Sequence, residues 1–154
     1  MIRLAQPGDR AAVETIVREA YSVYLARMDK PPGPMLDDYA ALIRASAVSV
    51  IDEGGDIDAI IVLLPQADHL LLDNIAVRPD RQGTGLGRRL IVFAETEARR
   101  LGFAELRLYT HQTMVENIAL YTRRGFVETG RGREAGYDRV FMTKRLAEPT
   151  QNFP

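Results

Sequence analysis

Alternating glycines lie between an apolar segment and a segment with helical periodicity, and they are the clearest candidate for a functional site in this chain. Residues 82–87 place glycines at 83, 85 and 87, and the following apolar residues recur at helical spacing. Glycine permits positive φ and has no Cβ, so successive backbone N–H groups can close around phosphate oxygens where a helix begins. Arg81, Arg88 and Arg89 flank the loop, and the last two oppose the helix dipole, which an anionic ligand would explain. The pattern predicts that a phosphorylated ligand binds here.

The glycine run fits other phosphate loops less well. A P-loop requires Lys followed by Ser or Thr after its last glycine, whereas Gly87 is followed by two arginines. A dinucleotide fingerprint requires its third glycine at position 88, which is Arg, although Glu105 stands where a ribose-binding acid is expected. A nucleotide-binding oxidoreductase therefore stays as an alternative. A turn that merely starts a helix explains one or two glycines, but not three flanked by arginines.

Two motifs resemble signatures of the GNAT superfamily of N-acetyltransferases. The first follows an apolar segment ending at 75–79 and resembles the family's pyrophosphate-binding loop: Gln82-x-x-Gly85-x-Gly87. The second resembles the family's next signature: Asn117-Ile118-Ala119-Leu120-Tyr121-x-x-x-Gly125-Phe126. Their order and separation also match the family. Together the two motifs cover roughly the C-terminal half of the chain.

The resemblance implies the cosubstrate and the reaction. It implies an N-acetyltransferase that moves an acetyl group from acetyl-CoA to a primary amine of a small molecule or peptide, by direct attack in a ternary complex. By resemblance, the backbone of 82–87 holds the diphosphate, while the main chain of 75–77 pairs with the pantetheine arm and polarises the thioester carbonyl through one N–H. A non-catalytic module of the same fold that binds or senses acyl-CoA is the alternative. The expected cofactor-binding residues are Ile75, Ala76, Val77, Gln82, Gly83, Thr84, Gly85, Leu86, Gly87, Arg88 and Asn117.

Acyl transfer also requires a group that protonates the departing thiolate and a group that deprotonates the attacking ammonium. The family places its general acid, a tyrosine, four residues before the Gly-Phe pair, and Tyr121 stands at that position here. Alternatively, Tyr121 is a core tyrosine on an amphipathic helix. Asp73 is the candidate base, because strand alternation puts it on the face of Ile75 and Val77, and some family members carry a carboxylate at this offset. A solvated carboxylate, with deprotonation through water, is the alternative. Asn74 is expected to point the other way.

Asn117 and the two histidines are less specific signals. Asn117 lies one helical turn before Tyr121 and so can reach the cofactor arm, although the commoner family spacing puts the asparagine at the position of Met114. An exposed amide is the alternative. His69 and His111 stand at the ends of predicted strands and are expected at the surface. Because they lack the carboxylate spacing of a metal site, we predict no metal.

A proline-rich loop marks the acceptor side by resemblance. Residues 30–34 lie where the family builds its acceptor wall, and the aromatic and methionine side chains around them could equally be core residues. Arg139, if it faces the cleft, favours an acceptor with a carboxylate or phosphate. The candidate substrate residues are Tyr24, Met28, Tyr39, Tyr137 and Arg139.

Composition excludes several classes of protein. The chain has 154 residues, the size of one domain, with 46% apolar and 27% charged residues. Its net charge is −1, so no general field attracts nucleic acid or an anionic membrane, and anion binding must be local. The absence of cysteine excludes disulfides, thiolate metal sites and a cysteine acyl-enzyme. No signal-like or membrane-spanning stretch is recognised, so a cytoplasmic protein is expected. A homodimer is left open, because members of the family are often dimers.

Hydrophobic periodicity predicts the elements that position these residues. One domain is expected over 1–147, with a polar tail at 148–154. The predicted strands cover 2–4, 48–52, 57–64, 70–77, 105–109, 126–129 and 137–142, with a loop at 130–136. The predicted helices are one capped by Asp9 that includes Tyr24, one at 37–45, one after the glycines and one at 113–124. The order β1-α1-α2-β2-β3-β4-α3-β5-α4-β6-β7 indicates an α/β mixed sheet with helices on both faces. The resemblance implies that strands 4 and 5 splay apart to admit the acyl-CoA.

Overall fold

Residues 1–146, described by a computed structural model, form a seven-stranded mixed sheet with helices on both faces. The predicted element order and α/β class are confirmed, and the predicted tail at 148–154 lies outside the described residues. None of the described helices is long and apolar enough to span a membrane. The strands are β1 Ile2–Leu4, β2 Val48–Glu53, β3 Asp56–Pro65, β4 Leu70–Val77, β5 Glu105–His111, β6 Val127–Glu134 and β7 Tyr137–Arg145. The helices are α1 Arg10–Tyr21, α2 Tyr39–Arg44, α3 Leu86–Arg100 and α4 Val115–Arg123.

The sheet separates two hydrophobic cores. Its spatial order is β1-β2-β3-β4-β5-β7-β6, and every neighbouring pair is antiparallel except β4–β5. Adjacent residues of β3 face opposite cores: Ile60 packs with α1 residues such as Val13, and Ile61 packs with α3 residues such as Leu90. A strand buried on both faces must be apolar throughout, because its side chains alternate between the faces. The unbroken apolar run of β3 follows from its central place in the sheet.

Strands β4 and β5 are paired at only two positions. The parallel register joins Leu70 to Leu106 and Leu71 to Arg107, and then it stops. Beyond Leu71, β4 has a strand partner on the β3 side alone. The backbone groups on its other side form a free edge, with which an extended ligand can pair. The predicted splay of β4 and β5 is confirmed, and the gap lies beside the strand that leads into the glycine loop.

A β-bulge interrupts β4 beside this gap. Val62 of β3 pairs with Asn74, whereas the next residue, Leu63, pairs with Leu72, so Asp73 lies opposite no residue. An extra residue in one strand breaks the regular alternation of side chains. The alternation used to orient Asp73 and Asn74 therefore fails at the position where it was needed.

The start and end of α1 differ from the prediction. Asp9 does not cap α1 with its side chain; its carboxylate accepts a hydrogen bond from the Gln6 N–H at 2.7 Å and pairs with Arg3 at 2.8 Å. These contacts close a short 3-10 turn before the helix. The helix ends at Tyr21, and Tyr24 lies in a further 3-10 turn. Asp9 therefore fixes the turn that precedes the helix.

The predicted loop at 130–136 is wrong. β6 continues to Glu134, and only Ala135 and Gly136 form the turn to β7. Alternating glycines and arginines resemble a loop, yet every residue of β6 is exposed at the sheet edge, where pairing with β7 holds the strand without apolar burial. An ion pair between Glu134 and Arg139 of β7, at 2.7 Å, adds to this pairing.

Candidate active site

The turn between β4 and α3 leaves backbone N–H groups open to a ligand. Gly83 and Gly85 have φ of 80° and 88°, and Gly85 is the N-cap of α3, without a side-chain cap. The first N–H groups of a helix have no partner within the helix, so those at the start of α3 can bind an anion. Thr84 Oγ1 donates to the carbonyl oxygen of Arg81 at 2.5 Å and so closes the turn. The local geometry therefore suits a phosphate group.

A buried carboxylate anchors the start of this loop. Asp58 is 3% exposed, and its carboxylate lies 3.2 Å from the guanidinium of Arg78 and 3.7 Å from that of Arg81. The Arg78 N–H also donates to the Asp58 carbonyl at 2.9 Å. Because a buried charge without a partner is strongly destabilising, these contacts fix the course of the chain as it leaves β4.

An open groove of about 560 Å³ runs from the free edge of β4 to the glycine loop. Ten of the eleven predicted cofactor-binding residues line this groove, and Thr84 is the exception. Arg123 and Arg124, at the end of α4, also line it and were not predicted; basic residues directly before the Gly-Phe pair were the available signal. The Nε of Arg124 is buried without a hydrogen-bond partner among residues 1–146. The groove thus combines a free strand edge, a helix start and several arginines.

Asn117 lies where the groove meets a second cavity. It lines both spaces, as does Tyr21, and its Oδ1 accepts a hydrogen bond from the Tyr24 hydroxyl at 3.4 Å. Tyr24 lines the groove and not the second cavity, and its part in the acceptor wall stays a prediction. Met114 is 4% exposed and lines the second cavity near Asn117. An amide therefore connects the two spaces, although it stands one turn later than the common family spacing.

The second cavity has a volume of about 160 Å³ and is lined by the splayed strands, the proline-rich segment and β7. Tyr121 lines this cavity, is 6% exposed and packs edge-on against Phe126. No hydrogen bond to its hydroxyl is formed within residues 1–146. Burial raises the pKa of Tyr121 above its usual range, so the hydroxyl keeps its proton at neutral pH. A protonated hydroxyl without a protein partner is suited to donate a proton to a ligand.

Asp73 lines the same cavity and is partly buried. Its carboxylate accepts a hydrogen bond from the Tyr109 hydroxyl at 3.2 Å. Burial raises the pKa of Asp73, while this hydrogen bond and the charge of Arg139 oppose the rise. A raised pKa suits a carboxylate that must take a proton from an ammonium group.

The bulge brings the side chains of Asp73 and Asn74 to the same cavity, although strand alternation predicted that they point to opposite faces. Both residues line the cavity, whereas Ile75 and Val77 pack toward the core beneath α3. The predictions that Asp73 shares a face with Ile75 and Val77, and that Asn74 points away from Asp73, are therefore wrong. The extra residue in β4 lets two polar side chains in sequence reach one site.

The sequence matches one known protein family. Residues 11–126 match the sequence profile of the Acetyltransferase (GNAT) family. The matched span includes both motifs, the gap between β4 and β5, and all the residues that line the groove. The chain belongs to the GNAT acetyltransferase family.

Solved structures share the fold of this GNAT protein. The PaiA N-acetyltransferase of Thermoplasma acidophilum, solved in complex with coenzyme A, has a TM-score of 0.80 and 19% identity over 94% of this chain and 98% of that chain. The ribosomal-protein-S18-alanine N-acetyltransferase of Escherichia coli has a TM-score of 0.73 and 24% identity over 100% of this chain and 98% of that chain. The yncA structure from Salmonella typhimurium, which contains acetyl-CoA, has a TM-score of 0.74 and 24% identity over 99% of this chain and 97% of that chain.

A curated relative is more similar in sequence over a shorter span. The GNAT protein is 39% identical to an "IAA acetyltransferase" of Azospirillum brasilense over 72 residues. This match covers 46% of the chain and 47% of the relative. It therefore spans about half the length of the curated protein.

The acceptor side of the GNAT protein contains three of the five predicted substrate residues. The Tyr137 hydroxyl donates to the carbonyl of Pro31 at 2.6 Å and so ties the proline-rich segment to β7. The guanidinium of Arg139 lies 4.1 Å from the centre of the Tyr109 ring and pairs with Glu134. The three residues that line the cavity are Met28, Tyr137 and Arg139.

A chain of buried hydrogen bonds supports the bulge in this GNAT protein. The Tyr21 hydroxyl donates to Asn74 Oδ1 at 2.6 Å, and Asn74 Nδ2 donates to the Tyr39 hydroxyl at 3.0 Å. The Tyr39 hydroxyl in turn donates to the carbonyl of Pro34 at 2.5 Å. Tyr39 is 3% exposed and does not line the cavity, and its assignment to the acceptor wall stays a prediction. Tyr21 and Asn74 were not predicted as site residues, since a buried tyrosine at helical spacing resembles an ordinary core residue and Asn74 was expected to point away.

Two further titratable residues line the cavity of the GNAT protein. His111 was expected at the surface, but it lines the cavity, with its Nδ1 accepting from the Thr113 N–H at 3.2 Å. Asp37 was not predicted; it lies at the mouth with more than a third of its surface exposed. Loss of solvent around its carboxylate and the charge of Asp73 raise the pKa of Asp37 to about 6. Residues 1–146 hold no group of three or more His, Asp or Glu side chains arranged for a metal ion.

Proposed function

We propose that this GNAT protein transfers an acetyl group from acetyl-CoA to a primary amine of a small molecule, by direct attack in a ternary complex. One observation carries the proposal: the groove that contains the glycine loop meets the small cavity that contains Tyr121 and Asp73, and the two spaces share Tyr21 and Asn117. A thioester that enters from the groove and an amine that enters from the cavity would meet at this junction.

Acetyl-CoA is the cosubstrate that the groove fits. Relatives with the same fold have been solved with coenzyme A or acetyl-CoA bound. In our proposal the N–H groups of residues 83–88 hold the diphosphate, with Arg88 adding positive charge. The free edge of β4 at Ile75 to Val77 pairs with the pantetheine arm as an added strand. The bound thioester supplies the activated acetyl group.

Two residues of the cavity, Asp73 and Tyr121, carry out the proton transfers. Asp73 takes a proton from the acceptor ammonium, so that the nitrogen lone pair can attack the thioester carbon. A C–N bond forms and the C–S bond breaks, and the departing sulfur takes the proton of the Tyr121 hydroxyl. The nitrogen loses its second proton as the amide forms, and this proton returns the Tyr121 phenolate to its neutral form. The raised pKa of Tyr121 keeps that proton available, and the raised pKa of Asp73 makes it a stronger base than an exposed aspartate.

The acid limb of the pH profile tests the role of Asp73. The carboxylate is active when deprotonated, and its pKa is raised above 3.8, so kcat/KM is high above the raised pKa and falls as the pH drops through it. We expect Asp73→Asn to lower kcat/KM about a hundredfold and to remove this acid limb, with acetyl-CoA affinity retained.

The same profile measured on Asp37→Asn separates the two carboxylates. The pKa of Asp37 is raised to about 6, but Asp37 does not take the proton in our scheme, so with a monoamine acceptor this variant should keep its acid limb. An Asp73→Asn enzyme that retains both its rate and its acid limb would contradict a base at this position.

A panel of acceptors tests the proposed reaction itself. Purified protein with acetyl-CoA is assayed for thiol release in the presence of small amines, polyamines, amino acids and peptides. We expect amine-dependent thiol release and one acetylated product for at least one small amine. Acetyl-CoA binding with no turnover of any amine would favour the alternative, a module that binds acyl-CoA without catalysis.

A further inference from the structure

We propose that the acceptor is a compact amine with a second cationic group, and that Asp37 binds this second group at the mouth of the cavity. The inference rests on the proposed acetyl transfer, and it goes further by naming the chemical class of the acceptor. It also assigns a specificity-determining role to a residue outside both motifs.

The cavity marks where an acceptor must lie. Tyr121 is more than nine-tenths buried, lines the cavity and has a hydroxyl without a protein partner in residues 1–146, so that hydroxyl is open to a bound molecule. At about 160 Å³ the cavity is smaller than the 300–1,000 Å³ of typical drug-sized sites. A small molecule, rather than a folded protein segment, fits this space.

Two carboxylates line this cavity without a cationic partner. Asp73 lies within it and accepts only the hydrogen bond from Tyr109, and Asp37 lies at the mouth. Neither carboxylate forms an ion pair with any residue in 1–146. The two groups repel each other across the cavity, which a ligand carrying positive charge would relieve.

The other charged groups around the cavity do not balance these carboxylates. The charge of Arg139 lowers the pKa of Asp73, but Arg139 forms its ion pair with Glu134, at 2.7 Å, and none with Asp73 or Asp37. The Lys30 ammonium donates to the carbonyl of Ala135 at 2.9 Å and lies over the Tyr137 ring, outside the lining of the cavity. The neutral hydroxyls and the His111 ring complete the titratable groups that line the site. The cavity therefore favours cations over carboxylates, which reverses the preference first expected from Arg139.

The charge change during the reaction argues for two cationic groups in the acceptor. The attacking ammonium loses one proton to Asp73 and a second as the C–N bond forms, so the resulting amide is neutral. An acceptor with a single amine would then leave Asp37 without a counter-charge. A second ammonium, a few carbon atoms from the first, stays charged throughout and can remain beside Asp37. The position of Asp37 at the mouth places this distal group near solvent, where a strongly hydrated ammonium is least costly to bind.

Three acceptors of matched length test the inference. Steady-state kinetics with saturating acetyl-CoA compare 1,4-diaminobutane, 1-aminobutane and 4-aminobutanoate, which carry a distal cation, methyl and carboxylate respectively. We expect the wild type to prefer the diamine to the monoamine by about tenfold in kcat/KM, the size of one exposed charge-assisted contact. The carboxylate-bearing acceptor should be the poorest.

The variant Asp37→Asn should remove this preference. The diamine-to-monoamine ratio should fall toward one, through a higher KM for the diamine and little change in kcat, and Asp37→Glu should restore part of it. Asp29→Asn is the matched control, since Asp29 is an exposed aspartate in the same segment, and it should keep the wild-type ratio. Circular dichroism and acetyl-CoA titration of each variant establish that it is folded.

The outcomes separate the inference from the proposed reaction. A wild type that prefers the monoamine or 4-aminobutanoate, or an Asp37→Asn variant that keeps the diamine preference, overturns the inference while acetyl transfer stands. Acetyl-CoA binding without turnover of any amine overturns the proposed function and the inference with it.

Discussion

Replacing Tyr121 with phenylalanine should lower kcat by about a hundredfold or more, the range expected for loss of a general acid. The substitution removes one oxygen and keeps the ring, which packs against Phe126 within the core beneath α3. Because the hydroxyl has no hydrogen-bond partner in residues 1–146, its removal leaves no protein group unsatisfied, and the fold should be unaffected. The KM for acetyl-CoA should change little, since the hydroxyl acts on the leaving group and not on the diphosphate. Thiol release followed spectroscopically under saturating acceptor gives kcat directly.

Tyr24→Phe is the matched control for this prediction. It deletes the same atom from a tyrosine that is 7% exposed and lines the groove, where its hydroxyl makes only a long hydrogen bond to Asn117. We expect a decrease in kcat of about threefold or less, as suits a weak bond at 3.4 Å. Equal rates for Tyr121→Phe and the wild type would remove the general acid from the mechanism and leave the thiolate to depart unprotonated.

Gly85→Ala should weaken acetyl-CoA binding by about a hundredfold. Gly85 has φ of 88°, a backbone conformation that costs an L-residue roughly 1–2 kcal/mol. It is also the N-cap of α3, so relaxing the strain would rotate the N–H groups that are proposed to hold the diphosphate. A loss of roughly 2.7 kcal/mol in binding corresponds to this hundredfold change. Isothermal titration calorimetry measures the affinity.

Gly102→Ala separates loss of binding from loss of stability. Gly102 has φ of 82° and lies just past the other end of α3, and like Gly85 it has no heavy atom within 4 Å of the position a Cβ would take. Both substitutions should lower the melting temperature, because both impose the same backbone strain. Only the change at Gly85 should weaken acetyl-CoA binding. An equal loss of affinity in the two variants would show that strain in α3, and not the glycine loop, controls binding.

Ten of the eleven residues assigned to the cofactor side from the sequence line one groove, because that side is local. Residues 82–87 encode a positive-φ turn and an uncapped helix start within one short segment, and glycine is the residue that such a backbone requires. The segment determines its own geometry with little help from the remainder of the chain. The Thr84 side chain does not line the groove, since its hydroxyl closes the turn.

The acceptor side could not be predicted in the same way, because it is assembled from distant parts of the chain. Asp37, Asp73 and Tyr109 come from a loop, a bulge and a neighbouring strand, and no local pattern records that they line one cavity. The bulge itself depends on the register between β3 and β4, which periodicity within a single strand does not reveal. Similarly, the spacing of Tyr39 in the sequence is typical either of a residue in the acceptor wall or of a core residue. Only its hydrogen bonds with Asn74 and Pro34 show that it supports the bulge.

The proposed acetyl transfer requires acetyl-CoA to bind at the junction of β4 and α3. Calorimetric titration of the purified protein with acetyl-CoA tests this directly, followed by competition with CoA and with NAD. We predict saturable binding to one site per chain, displacement by CoA but not by NAD, and a loss of affinity of about a hundredfold in Gly85→Ala. Absence of binding at millimolar acetyl-CoA, or displacement of the bound ligand by NAD, would contradict the account.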